Sequence, residues 1–112
     1  QYKCFSSNSF LAALELIDSK KPTFATSQVR AMRYMAAGDF DKAQPVLEKA
    51  FTLAENNKQK GEIQMELAKV HTQAGRKSAA RTAAKEAAAL DSELTASAYS
   101  LIGDLYMSAF ND

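Results

Sequence analysis

Gly38 and Gly75 stand 37 residues apart, and other residues around them recur at the same interval. Ala13, Ala50 and Ala87 keep it across three positions, as do Leu16, Leu53 and Leu90, while Phe10, Leu47 and Ala84 fall in line with them. A fixed period between about 20 and 50 residues marks a tandem array, in which each unit buries its apolar face by stacking on its neighbours. Function in such an array is carried by extended surfaces, not by one compact catalytic centre.

Only four Gly and two Pro interrupt the chain, so helix breakers are scarce and Ala-rich stretches dominate. Apolar residues recur three and four apart in Phe10, Leu14 and Ile17, and again in Ile63, Leu67, Val70 and Ala74. This period predicts an all-α chain of six helices, at about 4–19, 25–37, 41–56, 60–74, 77–90 and 94–110. Pro22 ends the first by disfavouring helical geometry in Lys21. Ala37-Gly38-Asp39 and Ala74-Gly75-Arg76 read as matching turns, each with Gly where a left-handed C-cap is wanted. Asp39 and Asp41 are placed to cap the third helix, and Asp91-Ser92 leads into the last with Glu93 near its positive end. Pro45 fits if that third helix starts near Asp41, where the first amides have no intrahelical acceptor.

Hydrophobic residues at 46% and charged residues at 24% are globular proportions, which argues against disorder. A formal net charge of +1 is too small for a protein that holds nucleic acid by neutralising phosphates, and acidic lipid is disfavoured likewise. Cys4 is the single cysteine, so neither an internal disulfide nor a cysteine-based metal cage is expected. No apolar run reaches the roughly 18 residues that a membrane span needs. The chain begins at Gln1, so an upstream targeting segment is not excluded; cytoplasmic and exported locations both stay open for what reads as a soluble domain.

Tyr99-x2-Ile102-Gly103-x2-Tyr106 in the last segment resembles the first half of the tetratricopeptide signature. The middle unit offers Leu67-Ala68-x2-His71, Gly75, Ala80, Ala84 and Ala87; the unit before it has Ala31-x2-Tyr34, Gly38, Ala43, Leu47 and Ala50. Phe10-x2-Ala13-Leu14-x-Leu16 looks like the second helix of a further unit. The resemblance implies a right-handed solenoid of antiparallel helix pairs within one domain over 1–112: a second helix at 4–19, units at 25–56 and 60–90, and a first helix at 94–110, as part of a longer array. Small residues at Ala31, Ala68 and Gly103, and at Ala43 and Ala80, would then mark close helix approaches. The unit runs three residues longer than the family's 34, and Ser92 replaces its closing Pro. RNA-reading pentatricopeptides have similar lengths, but near-neutral charge speaks against them.

If first helices line a concave groove, as the resemblance implies, its positions hold Gln28, Met32 and Met35, then Met65, Lys69 and Thr72, then Ser100, Asp104 and Met107. All four methionines are among them. Methionine repacks around varied apolar partners, and it also serves as core filler. Gln28, Met32, Glu66, Ser97 and Leu101 occupy the places where one branch of the family grips a chaperone carboxylate; none is a cation, so that clamp is expected to be absent. Lys77, Arg81 and Lys85 make an i, i+4, i+8 stripe, either a solvated face or a docking patch for an acidic partner. A lone His71 on an apolar stripe reads as a packed residue, because a metal site needs several ligands together. P-loop, dinucleotide, acyl-transfer and zinc-hydrolase motifs are all missing.

These features predict a non-enzymatic protein-interaction module without cofactor or metal, which binds a partner's peptide or helix in the groove through Gln28, Met32, Met35, Met65, Lys69, Asp104 and Met107. The alternative is a structural spacer or self-association segment of a longer repeat protein. A homodimer through the C-terminal helix would follow if Leu105, Tyr106 and Phe110 form an uncovered apolar face.

Overall fold

The structure, a computed structural model, describes residues 7–111, so Cys4 and the predicted start of the first helix lie outside the described residues, as do the side chains of Phe10 and Phe110. The described residues form α1 (Ser7–Lys20), α2 (Phe24–Ala36), α3 (Phe40–Leu53), α4 (Asn57–Gln73), α5 (Lys77–Leu90) and α6 (Thr95–Asn111), with a 3-10 turn at Ser92–Leu94 and no strand among them. They group into two compact units, Gln1–Leu53 and Ala54–Asp112. In the first, α2 packs on both α1 and α3; in the second, α5 packs on both α4 and α6.

The two glycines of the repeat end helices in the same way. Gly38 and Gly75 have φ of +79° and +82°, a region where a side chain would strain the backbone. Gly38 N–H then reaches Met35 C=O at 3.0 Å and Asp39 N–H reaches Tyr34 C=O at 2.9 Å. Gly75 N–H to Thr72 C=O at 3.1 Å and Arg76 N–H to His71 C=O at 2.8 Å repeat that pattern. Both are Schellman closures, which satisfy carbonyls that would otherwise be orphaned at a helix end.

Helix starts differ more from the sequence expectation. Thr23 caps α2 reciprocally, its hydroxyl accepting from Thr26 N–H while Thr26 Oγ1 accepts from Thr23 N–H, both at 3.1 Å. The break between α3 and α4 falls at 54–56, not at 57–59, because Asn56 accepts from Gln59 N–H at 2.9 Å and Gln59 Oε1 accepts from Glu55 N–H at 2.7 Å. Asp39 accepts from Lys42 N–H at 3.4 Å and is the cap of α3, whereas Asp41 lies inside its first turn. Pro45 is also further inside than expected. Ala43 N–H already bonds Asp39 C=O at 3.1 Å, so Pro45 removes an intrahelical donor to Asp41 instead of using a free position. Both residues are exposed, which leaves that carbonyl to water.

Ala31, Ala43, Leu47 and Ala50 are fully buried in the first unit, and Ala68, Ala80, Ala84 and Ala87 in the second, as close helix approach demands. Gly103 is different: it is exposed, and a Cβ built there would meet nothing within 4 Å. The tight approach lies instead at Gly61, whose Cβ would sit 3.1 Å from both Asp91 Cβ and Leu94 Cδ1, so α4 runs hard against the chain that leads into α6. Gly103→Ala is therefore expected to stabilise the chain by about 0.5–1 kcal/mol, the helix-propensity difference with no steric cost. A fall in the urea midpoint would contradict that.

Candidate functional site

In the first unit a buried polar network ties α1 to α2. Asp18, 1% exposed, accepts from Thr26 Oγ1 at 2.9 Å and Ser27 Oγ at 3.0 Å and pairs with Arg30 Nη1 at 3.3 Å. Arg30 Nε is buried without a hydrogen-bond partner. Nearby, Tyr34 donates its phenolic hydrogen to Glu15. Burial first, and then this carboxylate, push the Tyr34 hydroxyl up to about 12. An open cleft of about 420 Å³ is lined by Arg30, Tyr34, Asp41, Lys42, Pro45, Val46 and Lys49. Three of these are cations, and Lys42 Nζ stands 6.0 Å from the Tyr34 ring centre. Sequence reasoning missed the cleft and the network; the signal was a charge, Arg30, in the register that Leu67 fills one period later.

The Tyr34 shift has a pH consequence. An unfolded tyrosine ionises near 10, while the folded one keeps its proton to about 12. The folded state thus holds more protons in that window, and stability that is complete below pH 10 falls as pH rises through it. We expect a loss on the order of 2 kcal/mol between about pH 9.5 and 12 that Tyr34→Phe does not show. Parallel unfolding curves for the two proteins across that window would refute it.

The expected groove residues are distributed over both units. On α2, Met32 is 50% exposed, and Gln28 and Met35 are half-buried. On α4, Lys69 is exposed and pairs with Glu66 at 3.3 Å, but Met65 is 6% exposed and belongs to the core. On α6, Asp104 and Met107 are both exposed, Met107 at 60%. His71, expected among packed core residues, is half-buried at the end of α4, where its Nδ1 accepts from Arg76 Nε at 3.0 Å.

Lys77, Arg81 and Lys85 follow one another along α5. Lys77 and Arg81 rim a small pocket of about 120 Å³ whose other walls are Ile102, Leu105 and Tyr106 of α6. Arg81 lies 5.9 Å from the Tyr106 ring centre, and its Nη1 is 3.5 Å from the hydroxyl. Leu105 is only 8% exposed, so it forms the pocket floor and not the uncovered face expected of it; Tyr106, at 53%, does face solvent. Among the described residues no three His, Cys, Asp or Glu side chains gather as metal ligands would, and no helix is long and apolar enough to cross a membrane.

A sequence profile described as tetratricopeptide repeat matches residues 34–105, more than half of the chain. The chain belongs to the tetratricopeptide repeat family. Its all-helical structure agrees, with two Schellman-closed first helices, α2 and α4, each followed by a packed second helix. Tetratricopeptide repeats are in general non-catalytic and bind protein partners, which makes this chain a protein-interaction module in general terms. No curated protein and no solved structure matched it.

Proposed function

We propose that this tetratricopeptide module is itself non-catalytic and holds a peptide or helix of a protein partner against its first helices, in the first unit through Gln28, Met32 and Met35 of α2, and in the second through Lys69 of α4 and Asp104 and Met107 of α6, with Met65 as a buried backing. The observation that carries this reading is the exposure of two long apolar side chains, Met32 at 50% and Met107 at 60%. An unbranched thioether left in water loses little on desolvation and adapts to varied apolar partners. Lys69 and Asp104 add charges of opposite sign that would fix orientation more than affinity. The test is binding of peptides selected on the folded chain from a random display library. Met32→Glu and Met107→Glu should each weaken the selected peptides by about tenfold or more, as truncation of an apolar anchor does, while Lys58→Glu has no such effect. Undiminished binding to both methionine variants would overturn the reading.

A further inference from the structure

A second surface, bordered by Met107 one turn beyond Gly103, lies where α5 meets α6. Tyr99, Gly103 and Tyr106 form an exposed stripe at i, i+4 and i+7 along α6, with the tyrosines 58% and 53% exposed. Gly103 and Tyr106 occupy the places that Ala31 and Tyr34 take in α2 and that Ala68 and His71 take in α4. Ala31 and Ala68 are fully buried in their helix pairs, whereas Gly103 faces open space. The stripe therefore has the shape that a closely packed helix covers elsewhere in this chain. Alongside it, the pocket of about 120 Å³ offers an apolar floor of Ile102 and Leu105, enough for one aliphatic side chain.

Charge selects among the helices that could lie there. The α5 edge of the slot carries Lys77 and Arg81 at its rim and Lys85 one turn on, and the only acid of α6 is Asp104. A basic occupant would meet like charge along the whole edge; an acidic one would meet complementary potential. We propose that the α5–α6 slot docks an amphipathic helix of a partner protein, whose apolar face covers Tyr99, Gly103 and Tyr106 and whose acidic flank runs along Lys77, Arg81 and Lys85.

Two synthetic helical peptides with the same i, i+3, i+4, i+7 leucine face test it, one with Glu and one with Lys along the flanking positions. By fluorescence anisotropy on the 112-residue chain, the Glu peptide should bind, weaken as salt rises and outcompete the Lys peptide by about tenfold or more. Gly103→Arg should abolish binding without loss of stability, since the position opens onto solvent, and Lys77→Glu with Lys85→Glu should reduce it by about tenfold while sparing the Arg81–Tyr106 contact. Equal binding of the two peptides, or none, would overturn the proposal. Concentration-dependent sedimentation of the chain alone that Gly103→Arg removes would overturn it too, because the slot would then be taken by a second copy.

Discussion

Asp18→Ala should cost about 3 kcal/mol or more and release α1 from α2, although it changes one side chain on a short helix. Its carboxylate is the acceptor for Thr26 and Ser27 and the counter-ion of Arg30, all within 3.3 Å. Removing it leaves a largely buried guanidinium, with Nε already unpartnered, and a fully buried hydroxyl without its acceptor. Burying an uncompensated charge is among the few single changes that reach this size. The pair itself is not intrinsically stabilising. Desolvation offsets most of the attraction, so the triple change Asp18→Leu, Ser27→Ala and Arg30→Leu should recover most of the loss. Hydrogen exchange of the α1 amides and the urea midpoint decide it. If Asp18→Ala leaves both unchanged, the network does not hold α1; if the triple change is as unstable as the single one, the cost lies in shape and not in charge.

This network marks where the sequence stopped being readable. Asp18 follows an apolar stripe, Phe10, Leu14 and Ile17, and Arg30 sits one period before Leu67. Each alone reads as an ordinary surface charge, and only the fold shows that they are buried against each other. The helix ends were legible for the opposite reason. A Schellman closure needs a residue that tolerates positive φ, a local requirement that Gly38 and Gly75 announce by themselves. Starts are weaker signals: the apolar period carries the third helix through Asn56 and leaves Asn57 in the loop, whereas Asn56 ends outside α3 and caps α4 by accepting from Gln59 N–H.

Residue type showed where close contacts could form, not whether a neighbour was present to make them. Gly103 shares the register of Ala31 and Ala68 but faces open space, while Gly61, which carries no repeat signal, holds the tight contact with Asp91 and Leu94. The site was read at the same depth. Of the expected methionines, two are half or more exposed and Met65 is in the core, a difference fixed by which neighbours pack on each helix and invisible in the spacing.

Replacing Ala50 or Ala87 with Leu should cost up to about 3 kcal/mol each, because three added carbons have no room at a fully buried helix contact. Ala87 has a further reason to be intolerant. Its carbonyl oxygen already lies 3.4 Å from where a Gly61 Cβ would stand, so α4 and α5 are in contact there with no side chain between them. Ala13 belongs to the same 37-residue register, yet it is exposed on α1, and Ala36 is exposed at the end of α2. Ala13→Leu and Ala36→Leu should therefore both lie within about 0.5 kcal/mol of the parent chain, as surface substitutions do. Urea midpoints of the four variants, compared at constant m, separate the two explanations of the repeat. Large losses at Ala50 and Ala87 alone tie the Ala spacing to packing inside each helix pair. Comparable losses at Ala13 would mean that α1 is covered on a face that stands open here, and the assignment of buried faces in the first unit would have to be reversed.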